Sequence, residues 1–316
     1  MTQNPLREKL SRGSLGLGTA ALGRPAYITT SHGIDLSGRS DKAAMERNAH
    51  EVFDFAYSNG IRYFDAARSY GLAERFLANW LHTSGHSDVI VGSKWGYRYV
   101  GDWKIDAPTQ EVKDHSLEAF QRQLEETREL LGSYLALYQI HSVTPESPAL
   151  KDAQLLQELG ALRDTGVSIG LSTSGPQQAQ VLDAVSDITI DGRPLFSAVQ
   201  TTWNLLETST TDAIGHLADN RTVIIIKEAL ANGRLTAAGD HPATLPDSDA
   251  TADAIALAAA RQRIPADIVL SGALTTDQLK SNLSALDLQL DDQLELAPNA
   301  IAPAEYWQQR SELAWT

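Results

Sequence analysis

Residues 59–94 read NGIRYFDAARSYGLAERFLANWLHTSGHSDVIVGSK. IRYF and DVIVGS are short runs rich in β-branched and aromatic residues, the signature of buried strands. AERFLANWLHT between them carries apolar residues at helical spacing, so the stretch is one strand–helix–strand unit. The same alternation extends both ways. Upstream, SLGLGTA reads as a strand ending in a glycine turn. DKAAMERNAHEVFDFAYSNG reads as a helix with Ala44, Val52, Phe53 and Ala56 on one face and Asn59-Gly60 as its stop. Downstream, HSLEAFQRQLEETRELLG is an amphipathic helix with Leu117, Phe120, Leu124, Thr127, Leu130 and Leu131 together. LALYQI is a strand, and ALKDAQLLQELGALRDTG a helix ending at Gly166.

The second half repeats the pattern. VSIGLS, FSAVQTTWN, TVIIIK and ADIVLSGA are strands. PQQAQVLDAV (opened by Pro176), TDAIGHLADN, DATADAIALAAARQR and TDQLKSNLSAL are the helices that follow them, the last with Thr276 as N-cap. Eight strand-then-helix pairs predict an α/β fold, a (β/α)8 TIM barrel. It forms one domain over residues 1–316, with a tail from about residue 293. The rival is a doubly wound open sheet; LGLGTAALG is glycine-rich but lacks the G-x-G-x-x-G spacing such a sheet carries after its first strand.

Composition narrows the function. With 42% hydrophobic residues the 316-residue chain has a sizeable core, and its formal charge of −14 disfavours nucleic acid and anionic membranes as partners. The absence of cysteine excludes disulfides, thiol catalysis and thiolate-bound metal. MTQNPLREKLSRG has no signal-peptide core, and runs such as TVIIIK fall far short of the ~20 residues of a membrane helix. The expectation is a cytoplasmic protein acting on a small molecule.

Four ionisable residues sit at or just past strand-like runs: Asp65 closes IRYFD, Tyr70 follows in the same loop, Lys94 follows DVIVGS, and His141 follows YLALYQI. In a barrel, catalytic groups come from the carboxyl ends of different strands. Each has a plain structural explanation alone: a cap, a packed ring, a solvated strand end, a core histidine. Together they make a proton-transfer site. A phenol of reference pKa ~10 is a poor acid near neutrality, and an ammonium beside it would lower that value by roughly 1–3 units. Lys94 is expected to do this to Tyr70, with Asp65 as the lysine's counter-ion and His141 orienting the substrate oxygen. No activated serine or cysteine accompanies them, so the vacancy suits a hydride from a reduced nicotinamide. Two long loops, after Lys94 and after the seventh strand, would lie at the same face. Trp103 in the first, Trp95 just before it and Trp203 elsewhere suggest an aromatic substrate pocket.

FDAARSYGLAE resembles the aldo-keto reductase signature of Asp, Tyr-Gly and Glu; GSKWG resembles its lysine motif and YQIHS its histidine motif. LGLGTAALG, GVSIGLSTS, VQTTWNLLE, EALANGRLT and LSGALTTDQLKSNLSA resemble further family segments, in the family's order, from about Leu15 to Leu286. The resemblance implies a metal-independent oxidoreductase that moves a hydride between a nicotinamide dinucleotide, NADP with NAD as the alternative, and an aldehyde, ketone or aldose. It implies a tetrad of Asp65, Tyr70, Lys94 and His141, with Tyr70 as acid and base. Gly18, Thr19, Ala20 and Asp65 would lie near the cofactor, as would Ser172, Thr173 and Gln200 around its carboxamide. The loop Leu230 to Leu235, with Gly233 and Arg234, would follow the pyrophosphate, Gln278 and Asn282 would lie near the adenosine, and Lys227, Ala229 and Gly272 would also lie at the cofactor. The chain departs from the family at Thr173 (often Asn), Lys227 (commonly an aromatic stacker), Ala229 (usually Pro), and at Gly272 and Gln278, where many members carry cations for the 2′-phosphate. Two other readings are a dinucleotide-binding regulatory subunit with little turnover and a Schiff-base aldolase using Lys94.

Overall fold

The computed structural model describes residues 4–28, 41–291, 296 and 298–315. A short helix, α1 (Pro5–Lys9), precedes β1 (Ser14–Gly18), and α2 (Lys42–Ser58) follows it. Next come β2 (Tyr63–Asp65) with α3 (Ala73–Ser84), then β3 (Ile90–Trp95), a hairpin of β4 (Tyr97–Tyr99) and β5 (Glu111–Lys113), and α4 (Leu117–Leu131). β6 (Leu135–Val143) leads to α5 (Ala153–Asp164), and β7 (Ser168–Thr173) to α6 (Gln178–Val185). A small hairpin, β8 (Thr189–Ile190) and β9 (Arg193–Pro194), precedes β10 (Ala198–Thr202) and α7 (Thr211–Asp219). β11 (Val223–Lys227) pairs in sequence with α8 (Ala252–Gln262), β12 (Ile268–Ser271) with α9 (Thr276–Leu283), and α10 (Pro303–Glu312) ends the series.

Eight of these strands close a barrel in the order β1-β12-β11-β10-β7-β6-β3-β2, every neighbouring pair parallel. The fold is the (β/α)8 barrel, and the open sheet is ruled out by the β1–β12 pairing that joins the two ends. Each barrel strand is followed by the helix that covers it. Side chains alternate along each strand, so one set fills the barrel and the other packs under the helices. Tyr63, Ile90, Leu137, Ala198, Val223, Ile225, Ile268 and Leu270 form the inner apolar cluster. Gly92 also faces inward, and a Cβ there would run into the Tyr63 hydroxyl, so this ring layer depends on glycine.

Three elements differ from the sequence-based expectation. Leu6 of α1 joins the inner cluster, and Asn4 caps that helix while its Nδ2 donates to Ser197 O at 2.8 Å. A charged-looking N-terminus therefore stoppers the barrel's amino end. Thr275 rather than Thr276 caps α9, its hydroxyl accepting from Gln278 N at 3.2 Å. Residue 293, the expected start of the tail, lies outside the described residues, but the tail contains α10. That helix docks on the barrel's carboxyl end through Tyr306 and Trp307, both buried.

Candidate active site

Following the inward positions toward the carboxyl ends of the strands, apolar residues give way to ionisable ones. Two residues beyond Tyr63 is Asp65; four beyond Ile90 is Lys94. Beyond Leu137 come Gln139 and His141, beyond Ala198 come Gln200 and Thr202, and beyond Ile225 comes Lys227. Period-2 geometry thus gathers these groups over the barrel core.

Lys94 is wholly buried and forms an ion pair with Asp65 Oδ2. Its Nζ also donates to Ala66 O at 3.0 Å and lies 3.4 Å from the Tyr70 hydroxyl. Gln200 Nε2 donates to the other Asp65 oxygen at 2.8 Å. Thr19 ties the strand end from behind, its hydroxyl donating to Asp65 O at 2.8 Å. The His141 ring stands edge-on to Tyr70, centroids 5.5 Å apart, and His115 Nε2 bonds His141 O at 2.8 Å. All four expected residues of the tetrad therefore meet. The turn that carries Tyr70 is pinned to the β1–α2 connection: Leu72 N donates to Gly23 O at 2.7 Å, and a Cβ on Gly23 would collide with Tyr70 O.

The electrostatics correct one expectation. The Tyr70 phenol is not made acidic; burial, then the Asp65 and Glu111 carboxylates, push it well above its ordinary value. Burial, then Lys94 and Lys227, hold His141 well below its usual range, so its ring is neutral near pH 7. The site therefore presents a protonated phenol and a neutral imidazole.

A cavity of about 610 Å³ opens over these groups. Asp65, Tyr70, His141, Gly18, Ala20, Gln200, Lys227, Ala229, Leu230, Gly233, Gly272, Gln278 and Asn282 line it, as expected for a ligand groove. Other expected residues stand elsewhere. Ser172 lies one layer back and its hydroxyl accepts from Ser142 N at 2.8 Å. Thr173 is on the outward face of β7, 2.7 Å from the Thr201 hydroxyl. Thr19 and Leu235 are fully buried, and Arg234 is turned to Asp240, Nε to Oδ1 3.1 Å. The tryptophan wall is also corrected. Trp95 and Trp203 follow the inward Lys94 and Thr202, so each points outward, Trp95 against Phe120 and Trp203 onto the Thr211 hydroxyl at 2.9 Å. Trp103 packs on Tyr99. The aromatic lining comes instead from Tyr27, Tyr70 and Trp315.

Sequence reasoning missed several lining residues. Arg24 is buried, donates to Ser69 O at 3.0 Å and Glu111 Oε1 at 2.5 Å, and stands 5.3 Å from the Tyr70 ring centre. Glu228, with φ +54°, takes the Arg310 guanidinium of α10 at 2.9 and 3.1 Å and lies 3.6 Å from Lys227 Nζ. Arg310 and then Lys227 hold its carboxyl down to about 2, against the opposing effect of burial. Lys227 donates to the Thr202 hydroxyl at 2.8 Å, and burial lowers its ammonium to about 8. The only local signal for this group was the Lys-Glu pair after TVIII.

The comparisons agree with this architecture. The model of the Aldo/keto reductase family matches residues 14–294. Aldo-keto reductase YhdN of Bacillus subtilis is 27% identical over 233 residues, covering 70% of this chain and 60% of YhdN. Protein tas of Escherichia coli is 24% identical over 303 residues, 78% of this chain and 87% of that protein. Among solved structures, the aldo-keto reductase AKR11C1 from Bacillus halodurans (holo form) aligns with TM-score 0.65 at 20% identity, over 95% of this chain and 92% of the other. The glycerol dehydrogenase AKR11B4 from Gluconobacter oxydans aligns with TM-score 0.63 at 20% identity, over 96% and 91%. The chain belongs to the aldo/keto reductase family.

Proposed function

We propose that this chain reduces the carbonyl group of a polar small molecule with a reduced nicotinamide dinucleotide, Tyr70 giving the proton. The observation that carries this is the Tyr70 hydroxyl 3.4 Å from an ammonium that is ion-paired to Asp65, at the floor of the cavity and beside a neutral His141. A volume of about 610 Å³ lies within the roughly 300–1,000 Å³ usual for ligand sites, and its small lining residues Gly18, Ala20, Gly233 and Gly272 leave backbone exposed to an elongated ligand. Leu230 and Gly233 would flank the pyrophosphate, and Gln278 and Asn282 the adenosine. Bound there, a reduced nicotinamide would supply the hydride for the carbonyl carbon.

The chain's own groups do the rest. Tyr70 donates its phenolic proton to the carbonyl oxygen as negative charge develops there. The nearby Lys94 ammonium stabilises the phenolate left behind, and Asp65 with Gln200 holds that lysine in place. His141 donates a ring N–H to the same oxygen and sets its direction. A phenol held protonated favours the reducing direction near neutral pH. Lys94 is committed to the Asp65 carboxylate, which disfavours a Schiff-base role. Arg24, Glu111, Tyr27 and Trp315 around the substrate end suit a hydroxylated carbonyl compound.

The test is consumption of reduced dinucleotide with a panel of small aldehydes. Tyr70→Phe is expected to lower turnover at least ~10²-fold while dinucleotide binding changes by less than about threefold. Near-normal turnover in that variant removes Tyr70 from its role. Tight dinucleotide binding with no turnover on any aldehyde points to the regulatory reading instead.

A further inference from the structure

We infer that the cavity takes the dinucleotide with free ribose hydroxyls, NADH, and rejects its 2′-phosphorylated counterpart; this rests on the reductase reading above. The cavity is continuous from Asp65, Tyr70 and His141 past Leu230, Gly233 and Ala237 to Gly272, Gln278 and Asn282. A hydride can reach a carbon whose oxygen faces Tyr70 only if the reduced ring lies at the tetrad. The remainder of the dinucleotide then runs toward the first turns of α8 and α9.

Those two turns carry carboxylates into the lining, Asp253 from α8 and Asp277 from α9. A helix N-terminus ordinarily attracts anions. Here each already has its own negative charge. Asp253 is held in position: the Asn282 amide, oriented to satisfy both its ends, donates to Asp253 Oδ2 at 2.8 Å and to Gln278 O at 3.0 Å, and accepts from Ser271 Oγ at 2.9 Å. Among the described residues, the cations that line the cavity are Arg24, Lys227 and Arg310, and none belongs to this end. Arg24 lies over Tyr70 beside Glu111, and Lys227 and Arg310 flank Glu228. Arg234 is outside the lining, against Asp240, and Lys280 is exposed on α9 and also outside it. A phosphate at this end would meet two carboxylates and no counter-ion, whereas ribose hydroxyls would find acceptors. An acidic side chain on the ribose hydroxyls is the general device by which NAD sites exclude the phosphorylated form.

The experiment is fluorescence titration of the full chain with NADH and with NADPH, at low and at near-physiological salt. NADH is expected to bind at least ~10-fold more tightly, with the gap narrowing as salt rises, because the exclusion is electrostatic. Replacing both carboxylates (Asp253→Asn with Asp277→Asn) is expected to shrink the NADPH/NADH ratio of dissociation constants by about tenfold. Equal or tighter NADPH binding overturns the inference and leaves the reductase reading standing. A ratio that neither salt nor the double variant moves also overturns it. Failure of both dinucleotides to bind overturns the reductase reading and the inference with it.

Discussion

Two lysines face each other across this barrel, the wholly buried Lys94 on β3 and the half-buried Lys227 on β11, four strands apart in a ring of eight. Both sit at the inward position closest to the cavity, yet their partners differ. Lys94 has Asp65 as its own counter-ion, supplied by the neighbouring strand, and Ala66 O as a second acceptor. Lys227 shares Glu228 with Arg310, a residue brought in by the C-terminal helix, and its second partner is the Thr202 hydroxyl. Burial lowers the Lys227 ammonium to about 8, with Arg310 and Lys94 adding to that effect and Glu228 opposing it. One lysine thus has a counter-ion to itself, while the other divides its own with a guanidinium that the fold brings in from the far end of the chain.

The largest effect is expected for Lys94→Met. It would leave Asp65 buried with no cation, a loss expected to cost about 3–5 kcal/mol of unfolding free energy in chemical denaturation. A cost below about 1 kcal/mol would mean that Asp65 simply takes up a proton or water. Arg310→Met is the counterpart on the other side. Glu228 keeps Lys227, so a smaller cost of about 1–3 kcal/mol is expected. With one cation gone, the titration of Lys227 should move upward from about 8.

In the unfolded chain Lys227 titrates at its ordinary value of 10.5, and in the fold at about 8. Between those values the unfolded state binds more protons, so stability should rise with pH across that window, by on the order of 1–3 kcal/mol. Lys227→Met should abolish the rise. Glu228 behaves in the opposite range: the stability it contributes is present above about 4.5 and lost as pH falls toward about 2. The smallest effect expected separates the two sets of tryptophans. Trp315→Ala should raise the KM for substrate several-fold, while Trp103→Ala should change it less than about twofold, since only Trp315 lines the cavity.

The tetrad was legible because it is local and periodic. Asp65, Lys94 and His141 each end a strand run, and strand parity with parallel closure forces such positions to one place. The same parity shows why Trp95, Trp203 and Thr173 miss the cavity: each is one residue past an inward position, and a step of one reverses the face. That rule was readable in the sequence, but applying it requires knowing which residue of each strand points inward, and short strands leave that open.

The chain's residue order by itself determined the eight alternating units, the amphipathic helix faces, and the Asp–Tyr–Lys–His set, because backbone periodicity and apolar spacing are properties of neighbouring residues. Tertiary structure alone decided what surrounds that set. The Arg24–Glu111 pair joins residues 87 apart, and Arg310 reaches Glu228 across 82. Tyr70 stays protonated because burial and several distant carboxylates act on it together. Electric fields and desolvation sum over everything packed nearby, and no local stretch of sequence records what the fold will bring there.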